Sequence, residues 1–213
     1  MDIGFNGTGD LLYTWGAATQ HPQPPTISLD LDLFTAGGRP WYVPLMVHPL
    51  YAGSFDPPTR GHIDLCERAL ALFGSLVIGI GRNPAKQGLF SPDERCEMFR
   101  EAMGPRKGLE IEQFQGLVVD FARDRGCDAL VRGLRDVRDF SYEWDMAHSN
   151  RRLAQDAGRA EIETLFLIPG LELSFASSSL IKEIVQNGGD ASPWLHPEIE
   201  ARLRARLQAR EDS

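Results

Sequence analysis

Cysteine is scarce: the 213-residue chain holds only 3, and Cys66, Cys96 and Cys127 form no Cys-x-x-Cys pair. An odd number of widely spaced thiols excludes a disulfide framework and a paired-cysteine zinc site. The expectation is three core thiols of a cytoplasmic protein. Long hydrophobic runs are also missing. The longest apolar stretches, such as Leu76 to Ile80 and Thr164 to Ile168, are strand-length and far short of the roughly 20 residues that span a bilayer. No membrane helix is expected. Net positive charge is absent, since 22 basic against 30 acidic residues leave a formal charge of -8. That balance disfavours a sequence-independent grip on nucleic acid, which needs Lys and Arg to displace counterions from phosphates. The start Met1-Asp2-Ile3-Gly4 is acidic and no secretory apolar block follows it, so a leader is not expected. No Gly-x-Ser-x-Gly elbow occurs, and His21, His48, His62, His148 and His196 make no metal-ligand pair. Covalent catalysis and a protein-held metal are therefore not indicated.

Residues 1 to 45 are rich in Gly, Pro and Thr and show no helical period. They read as an N-terminal extension or a misassigned start, with Met46 poised before a strand-like run. One stretch, Ile27 to Leu33, alternates apolar and polar residues like a half-buried strand. Residues 46 to 213 read as one domain in which short apolar runs alternate with punctuated amphipathic segments, the signature of βα units around a parallel sheet. Strands are expected at Val47 to Ala52, Leu76 to Gly81, Leu109 to Phe114, Cys127 to Val131 and Thr164 to Ile168. Helices fill the intervals. The clearest has Ser91 as N-cap, Pro92 at the first helical position, Glu94 closing a capping box, and Gly104-Pro105 as its stop. Others are expected from about Gly61, over Leu117 to Arg125 and Asp139 to Gln155, and near Ser178 to Gln186 and Pro197 to Ala209. The fold class is α/β: a single, doubly wound, five-stranded parallel sheet, whose ligands bind beyond the carboxyl ends of the strands.

The loops at those ends carry the chemistry. After the first strand, Gly53-Ser54-Phe55-Asp56-Pro57-Pro58-Thr59-Arg60-Gly61-His62 combines a turn with a helix start, where unpaired amides and the positive dipole end favour phosphate. Thr59-x-Gly61-His62 fits the (His/Thr)-x-Gly-His pattern of nucleotidylyltransferases; the plainer alternative is a histidine that caps its helix. After the second strand, Gly79-Ile80-Gly81-Arg82-Asn83-Pro84 imitates a dinucleotide fingerprint but has Pro84 where its third glycine belongs, which excludes that site. Lys86 lies on the same loop and suits an anion. Val131-Arg132-Gly133-Leu134-Arg135 places two guanidinium forks directly after a buried strand. Ser177-Ser178-Ser179 opens a helix with hydroxyls that suit a triphosphate, although one serine suffices as a cap. Arginines, hydroxyls, a lysine and a histidine without a nucleophile suit in-line transfer at phosphorus.

Taken in order, Tyr51 to His62, Asn83-Pro84-Ala85-Lys86, Leu117 to Arg123, Val131 to Arg135, Asp139 to Glu143 and Ser177 to Lys182 closely resemble the bacterial phosphopantetheine adenylyltransferases, over about Met46 to the C-terminus. The resemblance implies a Rossmann-like nucleotidylyltransferase fold and a cytoplasmic, typically homohexameric enzyme. It also implies transfer of AMP from ATP to 4'-phosphopantetheine with Mg2+, giving dephospho-CoA and pyrophosphate in coenzyme A synthesis. By position it implies that His62 stabilises the transition state. Ser54, Phe55, His62, Gly133, Leu134, Arg135, Glu143 and the run Leu173, Ser174, Phe175, Ala176, Ser177, Ser178, Ser179 would bind ATP. Ser54, Lys86, Val118 and Arg132 would hold the acceptor. Ala52, Gln87 and Ser141 depart from the family's customary proline, lysine and acid, and the chain is longer than usual around Gln155 to Ala160. Rival readings are a nucleotidylyltransferase for another phosphorylated acceptor such as nicotinate mononucleotide, or using CTP, and a non-catalytic nucleotide- or coenzyme-A-sensing module. A class I aminoacyl-tRNA synthetase relative would need a second signature loop and a far longer chain.

Overall fold

A computed structural model describes residues 2–5, 11–14, 47–82, 88–156, 162–174 and 177–211. The chain divides into two units, Met1–Pro44 and Leu45–Ser213. In the first, β1 (Asp2–Phe5) and β2 (Leu11–Thr14) pair antiparallel, with Asp2 opposite Thr14 and Phe5 opposite Leu11. This ribbon was not expected, although Asn6-Gly7 between two short apolar runs is a turn signal. The expected strand Ile27 to Leu33 lies outside the described residues.

The second unit is the expected parallel sheet. Its strands are β3 (Pro49–Gly53), β4 (Leu76–Arg82), β5 (Leu109–Gln115), β6 (Ala129–Gly133) and β7 (Glu163–Leu167), in the order β5-β4-β3-β6-β7. Six helices connect and close it: α1 (Arg60–Phe73), α2 (Pro92–Met103), α3 (Val118–Asp124), α4 (Val137–Asp156), α5 (Ser178–Gln186) and α6 (Pro197–Glu211). Leu76 to Ile80 of β4 are buried throughout, because helices cover both faces and an inner parallel strand reads as a continuous apolar run. At the edge, Leu109 to Gln115 mixes half-buried and exposed positions.

Alternate side chains feed two cores. Tyr51, Ile78, Ile80 and Val131 pack with Ile63, Leu65, Cys66 and Phe99 from α1 and α2. Leu50, Val77 and Leu130 pack with Val119, Ala122 and Ala154 from α3 and α4. A third cluster joins Leu89, Phe90 and Met98 to α5 and α6. Cys66, Cys96 and Cys127 are all buried and free, and burial pushes the Cys127 thiol up to about 11. Among the described residues no helix is long and apolar enough to cross a membrane.

The capping box of α2 forms as read: Glu94 donates its amide to Ser91 Oγ at 3.2 Å and accepts the Ser91 amide at 2.7 Å. Several ends shift. β3 and β6 start and finish later than the apolar runs suggest, so Arg132 and Gly133 are the last residues of β6 rather than the first of a loop. Strand pairing carries them there, with Arg132 beside Phe166 and Gly133 beside Leu167. α4 likewise starts earlier, at Val137, and α6 runs on to Glu211.

Candidate active site

β3 and β6 are neighbours, and the helices that follow them lie on opposite faces of the sheet. A crevice therefore opens beyond their carboxyl ends, at the reversal of strand order. Two cavities occupy it. The first, about 370 Å3, is lined by Phe55, His62, Gly133, Arg135, Tyr142 and Ser177 to Ser179. The second, about 450 Å3, is lined by Gly81, Arg82, Phe114, Val118, Leu130, Met146, Ala147, Asn150 and Thr164. Ala52, Gly53, Ser54, Arg132 and Glu143 line both and form the wall between them.

His62 is held by its own helix. The Thr59 amide donates to His62 Nδ1 at 3.0 Å, and the His62 amide donates to Thr59 Oγ1 at 3.3 Å, a capping box with histidine in the position usually held by glutamate. Capping and ligand binding are thus not alternatives here. An Nδ1 that accepts an amide proton carries none itself, so the ring proton is assigned to Nε2, on the nitrogen left for the cavity. Burial, with Arg135 nearby, lowers the His62 pKa to about 4. The imidazole is a neutral N–H donor at ordinary pH.

Phe55 supports that ring from the side, with ring centroids 5.0 Å apart and edge-on. Its side chain is buried in the core against Phe99 at 4.9 Å, while its backbone turns through φ 46. A bulky residue in the left-handed region stores roughly 1–2 kcal/mol of strain, here maintained by the packing around it. Gly53 serves the same packing: a Cβ there would lie 2.8 Å from the Phe55 ring. The glycine's use is room for an aromatic ring, a reason the sequence reading did not supply.

Arg132 and Glu143 are locked together. Nε and Nη2 of Arg132 each donate to a Glu143 oxygen at 2.6 Å, and Nη1 donates to the Ala52 carbonyl at 2.6 Å. Burial opposes the Arg132 charge, and the Glu143 carboxylate more than offsets it, leaving the guanidinium pKa raised. One Nη1 and one Nη2 hydrogen remain for a ligand. Arg135, by contrast, is exposed and forked onto Asp139 at 2.8 and 3.0 Å.

The serines divide their work. Ser177 Oγ caps α5 by accepting the Leu180 amide at 3.1 Å, Ser178 Oγ donates to the Pro57 carbonyl at 2.8 Å, and Ser179 is exposed on the first cavity. Ser178 thereby ties the start of α5 to the loop that follows β3. Leu134, Leu173 and Ser174 line neither cavity: the Leu134 amide is spent on the Leu167 carbonyl and the Ser174 hydroxyl on the Gly170 carbonyl. Lys86, Phe175 and Ala176 lie outside the described residues.

Sequence reading missed a set of residues that hold or line the site. Asp56 is buried and accepts the amides of Leu89 at 2.8 Å and Phe90 at 2.9 Å, with Lys182 Nζ 3.3 Å away. Arg95, also buried, donates to the Ser54 carbonyl at 2.6 Å and to the Phe90 carbonyl at 3.0 Å. Deep in the second cavity Asn150 is only 7% exposed and its carboxamide has no hydrogen-bond partner among the described residues. Thr164 Oγ1, also on that cavity, is buried without a partner among the described residues. Unpaired buried polar groups on a cavity wall are what a ligand satisfies. No group of three or more metal-ligating side chains is gathered among the described residues.

Residues 50–184 match the cytidylyltransferase-like family model. The chain belongs to the cytidylyltransferase-like family. Its chemistry is accordingly nucleotidyl transfer. A solved structure shares the fold. A bifunctional NMN adenylyltransferase/ADP ribose pyrophosphatase from Francisella tularensis superposes with a TM-score of 0.56 at 14% identity, over 76% of this chain and 50% of that one. A protein assigned as a nicotinate-nucleotide adenylyltransferase from Vibrio parahaemolyticus gives a TM-score of 0.48 at 16% identity, over 75% of this chain and 93% of that one.

Proposed function

We propose that this cytidylyltransferase-like enzyme transfers AMP from ATP to 4'-phosphopantetheine, giving dephospho-CoA and pyrophosphate in coenzyme A biosynthesis. The observation that carries this reading is the pair of cavities meeting at Ser54 and the Arg132–Glu143 pair. One is polar and bordered by a helix N-terminus, which suits a triphosphate. The other is largely apolar and is lined by Val118, Met146, Asn150 and the unpaired Thr164 hydroxyl. Such a lining suits a flexible arm that alternates methylene groups with amides.

In this reading a phosphate oxygen of the acceptor attacks the α-phosphorus of ATP, and the bond to the bridging oxygen of pyrophosphate breaks as the electron pair leaves with that oxygen. His62 donates its Nε2 proton as a hydrogen bond to a non-bridging oxygen as charge builds there. The α5 amides, Ser179 and Arg135 hold the leaving phosphates. Ser54 and the free hydrogens of Arg132 stand between donor and acceptor, and Lys86 is assigned to the acceptor's phosphate by the resemblance alone. Mg2+ arrives with ATP as part of the substrate. We extend the reading to a cytoplasmic homohexamer, which a mass measurement in solution checks.

The test is pyrophosphate release by the purified protein from ATP and Mg2+ with 4'-phosphopantetheine, nicotinate mononucleotide or no acceptor. Release with phosphopantetheine alone is expected. Release with nicotinate mononucleotide alone would assign the other acceptor. Silence from protein that still binds ATP would favour the sensing module.

A further inference from the structure

Two guanidinium groups line the acceptor cavity, and one is already neutralised. Arg132 gives both sides of its fork to Glu143, so the pair contributes no net charge. Arg82 is the other. It ends β4, is exposed on the cavity, and has no carboxylate, carbonyl or ring partner among the described residues. The cavity's described lining therefore carries one uncompensated positive charge, and Arg82 supplies it.

The sheet sets where that charge sits. Gly53 pairs with Ile80, and a Cβ on Gly81 would lie 3.7 Å from the Gly53 carbonyl. Arg82 thus leaves the sheet alongside the Gly53-Ser54 segment shared by both cavities. The two glycines before it have structural uses: Gly79 makes room for Phe114, Phe121 and Leu50, and Gly81 opens the cavity floor. The motif that imitates a dinucleotide fingerprint is, in this fold, the wall that presents an arginine.

We infer that Arg82 is a specificity-determining residue that receives the acceptor's phosphate and makes the enzyme prefer a phosphorylated arm to its dephosphorylated counterpart. This rests on the acceptor being a phosphorylated molecule, as the proposed function holds. A guanidinium fork pairs bidentately with a phosphate, and its unspent charge attracts the anion before contact.

The test compares the full-length wild type with Arg82→Gln and Arg82→Lys. The acceptor KM is expected to rise about tenfold in Arg82→Gln, with the ATP KM held within about twofold and partial recovery in Arg82→Lys. Inhibition by unphosphorylated pantetheine should be unchanged in Arg82→Gln. An unchanged acceptor KM, an equal loss for ATP, or an equal loss for pantetheine would overturn the inference. If the wild type is inactive with phosphopantetheine but active with nicotinate mononucleotide, the acceptor reading fails. The same variants measured with nicotinate mononucleotide then decide the role of Arg82 separately.

Discussion

Thr59 and His62 exchange two hydrogen bonds across the first turn of α1, amide to Nδ1 at 3.0 Å and amide to hydroxyl at 3.3 Å. The imidazole to which we assign the transfer step is consequently also a helix cap, and the two duties are separable by mutation. Gln at the same position keeps a capping acceptor but has no ring N–H to offer the transferring phosphate. His62→Gln should therefore lower kcat by orders of magnitude, with melting temperature and ATP binding nearly intact. His62→Ala should lose turnover and also about 1 kcal/mol of stability through the lost cap. Turnover that survives either change would remove His62 from the mechanism.

The pH dependence follows from the same geometry. In the folded protein the His62 pKa is lowered to about 4, whereas in the unfolded chain it is about 6.5. The unfolded state takes up the proton first on acidification. The stability due to neutral His62 is fully present above about pH 6.5 and is lost as pH falls through about 4, by at most about 1.4 kcal/mol per unit. Urea melts from pH 7 to pH 4 should show this decline, and His62→Gln should flatten it. NMR titration of the ring carbons should find no protonation near pH 6.5.

Breaking the Arg132–Glu143 pair removes the wall between the cavities. Glu143→Ala leaves a half-buried guanidinium without its counter-charge and should cost about 2 kcal/mol, below the value for a fully buried pair because Arg132 keeps some solvent contact. Activity should fall further than stability accounts for, with KM rising for both substrates, since both cavities are lined by these residues. A change confined to ATP would contradict the shared-wall arrangement.

Asp56 is a support of another kind. It binds the amides of Leu89 and Phe90, where the chain returns from the 83–87 segment, and it meets Lys182 on α5. Asp56→Asn replaces one accepting oxygen by a donor that faces an amide proton, so roughly 2 kcal/mol of stability should be lost. The melting temperature checks this, and Lys182→Met, which spares both amide bonds, should lose less.

Strand and helix order was legible because apolar runs and caps such as Ser91–Glu94 are local signals. Registry was not, which is why Arg132 and Gly133 were placed on a loop: only the neighbouring strand β7 extends β6 to Gly133. Ser54, His62, Arg132, Arg135 and Ser177 to Ser179, singled out by their positions after strands, line one cavity. Asp56 and Arg95 escaped notice because each acts through partners far away in the chain, such as Leu89 and Phe90 for Asp56 and Ser54 for Arg95, and no periodicity marks such a pairing; Asn150 escaped because only the folded chain places it on a cavity wall. The packing need for Gly53 was not legible either, since it arises from Phe55 folding back over it.

The central claim is that the cavity beside Val118 and Asn150 takes a phosphopantetheine arm. The most direct measurement is the ratio of kcat/KM for 4'-phosphopantetheine to that for nicotinate mononucleotide, with ATP and Mg2+ saturating. A ratio of about 100 or more is predicted, because an apolar channel lined by the Asn150 carboxamide and the unpaired Thr164 hydroxyl discriminates strongly against a ligand that leaves such groups unpaired. A ratio near or below unity would contradict the account.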